Sequence, residues 1–374
     1  MRLYIHIPFC IRKCPYCDFV SFPSDRDKMD AYLRALTLEM RLVHRREGGG
    51  RLESVYLGGG TPSLYHPREL GQLLEEAASL WGLEEGAEVS VEVNPATWGK
   101  GEFREARWLG FNRMSVGVQS FSRRALEVLG RAHGPWESLE AVRSALSLDG
   151  VSVGLDLIYG IPGQGVGEWA ETLQSALQLR PHHLSLYLLT PEPGTPLAEE
   201  VARGFLSLPG EEEVVAMYEV ACRMAADHGY RHYEVSNFAL PGHACRHNLA
   251  YWRREGYLGL GVAAHSFIPP RRRWSNPTDL GVYLSYLERE KLPPQRDELL
   301  TPEEAREEEA MLALRTAEGL RRSFLGEEEG GRRTLGWLEQ LREEGLVWLG
   351  EDAFGLTERG MFVSNAVLSA FLSG

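Results

Sequence analysis

Six short apolar stretches, each followed by a segment of helical spacing, constrain this 374-residue chain more than any other feature. "RLYIHI", "SVYLGG", "VSVEVN", "RMSVGVQ", "VGLDLIYG" and "HLSLYLL" have the length and residue types of buried strands. Between them, "MDAYLRALTLEMRLV", "PRELGQLLEEAASLW", "RALEVLG", "PWESLEAVRSALSL" and "GEWAETLQSALQL" place apolar residues three and four apart, as amphipathic helices do. Strand followed by helix, repeated in this way, implies parallel strands with right-handed crossovers. An open doubly wound sheet and a partial barrel both satisfy the pattern. In a barrel, functional side chains gather at the carboxyl ends of the strands.

The segment after the first stretch reads "CIRKCPYC", with Cys10, Cys14 and Cys17 spaced C-x3-C-x2-C. A disulfide framework does not fit. Three is an odd number, no charged start and apolar run precedes the loop, and Cys222 and Cys245 are far away in sequence. A reducing, cytoplasmic setting is the expectation. Structural zinc does not fit either, because it takes four ligands, usually as two separated pairs. An iron–sulfur site fits better. A cubane [4Fe-4S] cluster has four irons, and three thiolates from one loop leave one iron open. At this spacing, with Tyr16 before the last cysteine, the loop resembles the signature of the radical S-adenosylmethionine (SAM) enzymes, in which SAM chelates the open iron.

Other strand ends are polar or glycine-rich in turn. "GGGTP" ends the second, where glycines let the backbone approach a ligand. Glu92 ends the third, Gln119 the fourth with Arg131 and His133 following, and Asp156 lies in the fifth. A carboxylate in an apolar strand needs a partner, and Arg131 is the expected one. A tight turn or a surface carboxylate explains each feature singly; the succession of them does not look accidental.

Net charge is −13 and the isoelectric point about 5.4. That balance argues against general binding to nucleic acid or anionic membranes. No apolar run approaches the ~20 residues of a membrane span.

Together "IHIPFC", "CPYCDF", "YLGGGTPS", "EVNP", "SVGVQSF", "GRAH" and "DLIYGIPGQ" resemble the oxygen-independent coproporphyrinogen III dehydrogenase family, which includes a heme-chaperone branch. The resemblance covers most of the chain and selects a partial (β/α)6 radical-SAM barrel. It implies a [4Fe-4S] cluster on Cys10, Cys14 and Cys17. It also implies Tyr4 beside the SAM methionyl group, and Tyr16, Gly59, Gly60, Thr61, Glu92, Gln119, Arg131 and Asp156 around SAM. The dehydrogenases typically carry a further cysteine two residues after the third, where this chain has Phe19. They also carry an N-terminal extension, for which no room is expected here.

"CRHNLAYW" contains H-N-x-x-Y-W at His247, Asn248, Tyr251 and Trp252, which resembles the heme-binding motif of the chaperone branch. Imidazole is a usual axial ligand of heme iron, and aromatic faces suit a porphyrin. Cys245, His243 and His265 are competing ligands, and an ordinary helix start with aromatic core residues is the bland alternative.

The expected organisation is a barrel over residues 1–240, a heme-motif segment and linker over 241–296, and a C-terminal winged-helix-like α+β domain over 297–374. That last segment carries 17 acidic and 8 basic side chains, a net charge of −9, so it reads as a lid or protein-contact surface and not a DNA reader. The function expected is a heme chaperone that binds heme and passes it to an acceptor protein, with no nucleic acid and no membrane span. Peripheral membrane contact and a homodimer are left open. The alternative is an enzyme that oxidatively decarboxylates coproporphyrinogen III, or a radical-SAM enzyme acting on another substrate.

Overall fold

A computed structural model describes residues 1–326 and 329–373. Glu327, Glu328 and Gly374, which belong to the expected C-terminal domain, lie outside the described residues. The six expected strands form β1 (Arg2–Ile7), β2 (Leu52–Gly59), β3 (Leu83–Val93), β4 (Arg113–Gln119), β5 (Ser152–Tyr159) and β6 (His183–Leu188). They lie side by side in that order, all parallel. Helices α1 (Arg26–Glu47), α2 (Pro67–Trp81), α3 (Lys100–Trp108), α4 (Arg123–Val128), α5 (Pro135–Leu146) and α6 (Val166–Leu179) supply the crossovers.

The alternation within these strands sets the barrel's character. Val55, Leu57, Val89, Val91, Met114, Val116, Val153, Leu155 and Leu184 are buried in one apolar core with the helices. The intervening positions bond to one another across the other face: Tyr56 with Glu92, Arg113 with Glu88, and Ser115 with Asp156. Since successive side chains point to opposite faces, the barrel is greasy outside and polar within.

The sheet continues past both edges to twelve strands and does not close by hydrogen bonding. Beyond β6 come β7 (Arg231–Glu234) and β8 (Asn237–Ala239), with β8 antiparallel to β6. Beyond β1 lies β9 (Tyr257–Leu260), parallel to it. Then come the antiparallel strands β10 (His265–Ile268), β11 (Arg272–Ser275) and β12 (Arg296–Leu299). The segment "GYLGLGVAAHSF", expected to close the barrel side, thus widens the sheet at its first-strand edge.

Two further helices, α7 (Pro196–Ala202) and α8 (Glu211–Asp227), follow β6. Helix α9 (Arg246–Trp252) packs against β2, and α10 (Leu280–Leu287) packs on α1. The C-terminal part starts with α11 (Pro302–Ala313), capped by Thr301 and Glu304 in a reciprocal capping box. It continues with β13 (Leu320–Arg321), α12 (Glu329–Glu343), the hairpin β14 (Val347–Leu349) and β15 (Ala353–Leu356), then α13 (Glu358–Phe362) and α14 (Ser364–Ser373). These strands form a separate three-stranded sheet over a core of their own, the winged-helix-like arrangement expected.

Candidate functional site

The carboxyl ends of the strands open on a cavity of about 520 Å³. All three loop cysteines line it, together with Tyr16, Gly59, Gly60, Thr61, Glu92, Gln119, Arg131 and Asp156. Residues 121 positions apart in sequence, such as Cys10 and Arg131, therefore face one space.

The cysteine loop is held on two sides. Thr61 Oγ1 donates to Cys10 Sγ at 3.7 Å, and Arg131 Nη1 donates to Cys14 Sγ at 3.7 Å. The amide of Cys17 closes a turn on the Cys14 carbonyl at 3.1 Å. Burial pushes the Cys10 and Cys17 thiols above the ordinary thiol range. All five cysteines are free, and Cys222 and Cys245 are buried away from this cavity.

Glycine is required where β2 meets the loop. A Cβ on Gly60 would lie 2.7 Å from the Phe9 carbonyl oxygen and 2.9 Å from that of Ile7. Gly59 has φ +114°, outside the range L side chains favour, and its amide donates to Glu92 Oε2 at 2.9 Å. Tyr56 donates to the other Glu92 oxygen at 2.8 Å. Even so, burial first and Asp156 second raise the Glu92 carboxyl to about 7. Gln119 ends β4 in a left-handed conformation, φ +64°, beside a register shift, which turns the strand tip at the cavity.

Asp156 corrects one expectation. Its hydrogen-bond partners are Ser115, at 3.0 Å, and Ser185, not Arg131. The Arg131 guanidinium instead spans Cys14, Asn94 Oδ1 and the Gly117 carbonyl. Asn94 went unread in the sequence, although it directly follows the end of β3, two residues after Glu92. It donates to Thr61 at 2.8 Å and accepts from Arg131, linking the two groups that touch the cysteines. Tyr187, at the end of β6, also lines the cavity; an apolar strand tip gave no signal of it.

Tyr4 does not line this cavity. Its hydroxyl meets His6 Nδ1 at 2.9 Å, and both residues line a second cavity of about 450 Å³.

The H-N-x-x-Y-W residues are not with the cysteines either. His247 is buried near the amino-terminal half of β2, its Nδ1 2.7 Å from Ser54 Oγ and its Nε2 2.8 Å from the Tyr251 hydroxyl. Both ring nitrogens are taken, so the expectation that His247 presents an imidazole to iron is not met in this arrangement. Burial lowers its pKa to about 4. Glu88 anchors the segment: its carboxylate accepts from Arg113 at 2.9 Å and from the amides of Arg246 and His247. Tyr251 lines the second cavity, and Trp252 is half-buried at the helix end.

The family profile described as "Radical SAM superfamily" matches residues 4–176. The radical S-adenosyl methionine domain-containing protein 1, mitochondrial, of Danio rerio is 39% identical over 71% of this chain and 60% of its own length. Heme chaperone HemW of Bacillus subtilis is 34% identical over 99% of this chain and 98% of its own. In fold, the chain is similar to coproporphyrinogen III oxidase (HemN) of Escherichia coli, a radical SAM enzyme. The TM-score is 0.81 and identity 23%, covering 99% of this chain and 89% of that one. Membership of this superfamily implies a [4Fe-4S] cluster and SAM. The chain belongs to the radical SAM superfamily and, within it, to the HemW family.

Proposed function

We propose that this chain is a heme chaperone: it holds a [4Fe-4S] cluster and SAM at the strand-end cavity, binds heme, and passes it to an acceptor protein. One observation carries the cluster assignment. Three free thiols line one cavity from a single loop, while the other two cysteines are buried outside it. Three thiolates leave one corner of a four-iron cluster for SAM, and such a centre supplies one-electron chemistry when both are bound.

The surrounding residues have roles that follow from their contacts. Thr61 and Arg131 donate to sulfur, which favours the anionic thiolates a cluster requires. Gly59 and Gly60 bring backbone close to the loop without a Cβ in the way. Glu92, Gln119 and Asp156 offer acceptors to the hydroxyl and ammonium groups of SAM, and Tyr16 offers an aromatic wall. We read residues 1–240 as the barrel, 241–296 as the segment that plugs and flanks it, and 297–374 as an acidic contact surface for another protein.

Heme enters this reading from the full-length similarity to proteins named heme chaperones, and from Phe19. That side chain is 62% exposed on the cysteine loop, a large apolar group left in solvent beside the cavity. A dehydrogenase of this family typically has a cysteine there. The test is a heme titration of the anaerobically reconstituted protein followed by absorbance. Saturation near one heme per chain supports the reading, and absence of a bound spectrum contradicts it.

A further inference from the structure

The second cavity lies between the cysteine loop and the turn that leads into β10. Phe19, Val20, Tyr251 and Tyr257 supply its apolar and aromatic surface, and His6 and His265 face it. Its volume of about 450 Å³ is in the range of sites for cofactor-sized ligands. Asp18 and Phe19 line this cavity and the cysteine cavity alike, so the two share a wall.

Three histidines and one cysteine near the H-N-x-x-Y-W segment are able to ligate iron, and their surroundings separate them. His247 has both ring nitrogens engaged. Cys245 is buried against Glu88 at 3.5 Å, and burial with that carboxylate pushes its thiol up to about 12. His243 bonds Ser152 at 3.0 Å, lies with its ring 4.5 Å from that of His182, and faces a polar cleft with Glu88, Arg113 and Arg246. His265 is exposed, and its ring makes no hydrogen bond among the described residues. The other imidazole of the second cavity, His6, is spent on Tyr4 and the Val20 carbonyl.

His265 is also held rigidly. The turn before it, Gly261–Ala264, is fixed by the buried Glu39 carboxylate on the Gly261 amide and by the Tyr32 hydroxyl on the Val262 amide. Asn276 donates to both Glu39 and the Gly261 carbonyl.

We propose that the cavity between Phe19 and His265 is the heme site, with His265 as the axial ligand and Phe19 packed on the porphyrin face. This assignment rests on the heme-chaperone reading. It places the porphyrin against the loop that carries the cysteines, and it leaves His247 as the residue that fixes Tyr251 in the cavity wall.

The experiment is a hemin titration of the full chain, read by Soret and charge-transfer bands, in wild type, His265→Ala, Phe19→Ala and His247→Gln. His265 is exposed, so its truncation leaves the fold intact. His265→Ala should shift the bands and weaken binding about tenfold or more, and added imidazole should restore the wild-type spectrum. Phe19→Ala should weaken binding about tenfold while keeping the spectrum. An unchanged spectrum and affinity in His265→Ala overturns this site, as do band shifts seen with His247→Gln alone. A wild type that binds no hemin overturns the chaperone reading and this site with it, whereas binding indifferent to His265 overturns only the site.

Discussion

At the residue scale, the strand-end cavity concentrates charge in a place where charge is expensive, and Glu92 shows the consequence. Its carboxyl titrates near 7 in the folded chain against an ordinary value of 4.5, because burial and Asp156 outweigh the bonds from Gly59 and Tyr56. The folded state therefore holds a proton that the unfolded state has lost between those values. Stability contributed by protonated Glu92 is present at pH 4.5 and declines as pH rises to about 7. Glu92→Gln should flatten that decline, removing up to about 3 kcal/mol of pH dependence in the cluster-free protein. Denaturant midpoints measured from pH 5 to 8 for both proteins check it; parallel profiles count against the buried-charge account.

Cysteine replacement belongs to the same scale. Cys10→Ala, Cys14→Ala or Cys17→Ala should each abolish four-iron content after anaerobic reconstitution, and Cys222→Ala or Cys245→Ala should not. Iron and sulfide analysis decides this. A requirement for Cys222 or Cys245 would mean that protein occupies the fourth iron. Charges set in apolar strands made Glu92 and Asp156 legible in the sequence. Their partners were not, since a serine in a strand is ordinary and Arg131 had several groups within reach. His247 was legible as part of a motif, but its Nδ1 partner, Ser54, lies 193 positions away.

At the scale of elements, the glycine turn after β2 and helix α9 carry the most consequence. Gly60→Ala would drive a Cβ into two carbonyl oxygens of the segment leading to Cys10, with no flexible side chain to yield. A cost of about 1–3 kcal/mol and reduced iron uptake are expected, read from thermal midpoint and iron content. Helix α9 depends on Glu88, which burial alone would protonate; Arg113 and the two helix amides hold its carboxyl below the usual range instead. Glu88→Ala leaves the Arg113 guanidinium buried without its carboxylate and should cost about 3–5 kcal/mol in denaturant unfolding. A loss under 1 kcal/mol would show that the ion pair does not hold the plug. The six barrel strands were readable because each is a strand-length apolar run. The flanking strands β7 to β12 have three or four residues each, too few for any periodicity to register.

At the scale of the whole molecule, the chain is a polar-lined, open barrel followed by an acidic C-terminal part with an apolar core of its own, and no described helix is long and apolar enough to cross a membrane. The barrel class was legible from strand–helix alternation joined to the cysteine loop. Alternation alone leaves an open sheet and a partial barrel equal, because curvature lies in strand register and not in residue type. The extension of the sheet past both edges was likewise outside what local patterns record.

The central claim is that this chain carries heme and does not decarboxylate porphyrinogen. It is tested in one anaerobic preparation bearing the cluster, supplied with SAM, reductant and coproporphyrinogen III, and assayed for protoporphyrinogen IX per chain. No conversion is expected in protein that, from the same batch, binds about one heme per chain, the stoichiometry that the family resemblance implies. Formation of protoporphyrinogen IX beyond one equivalent per chain would contradict it.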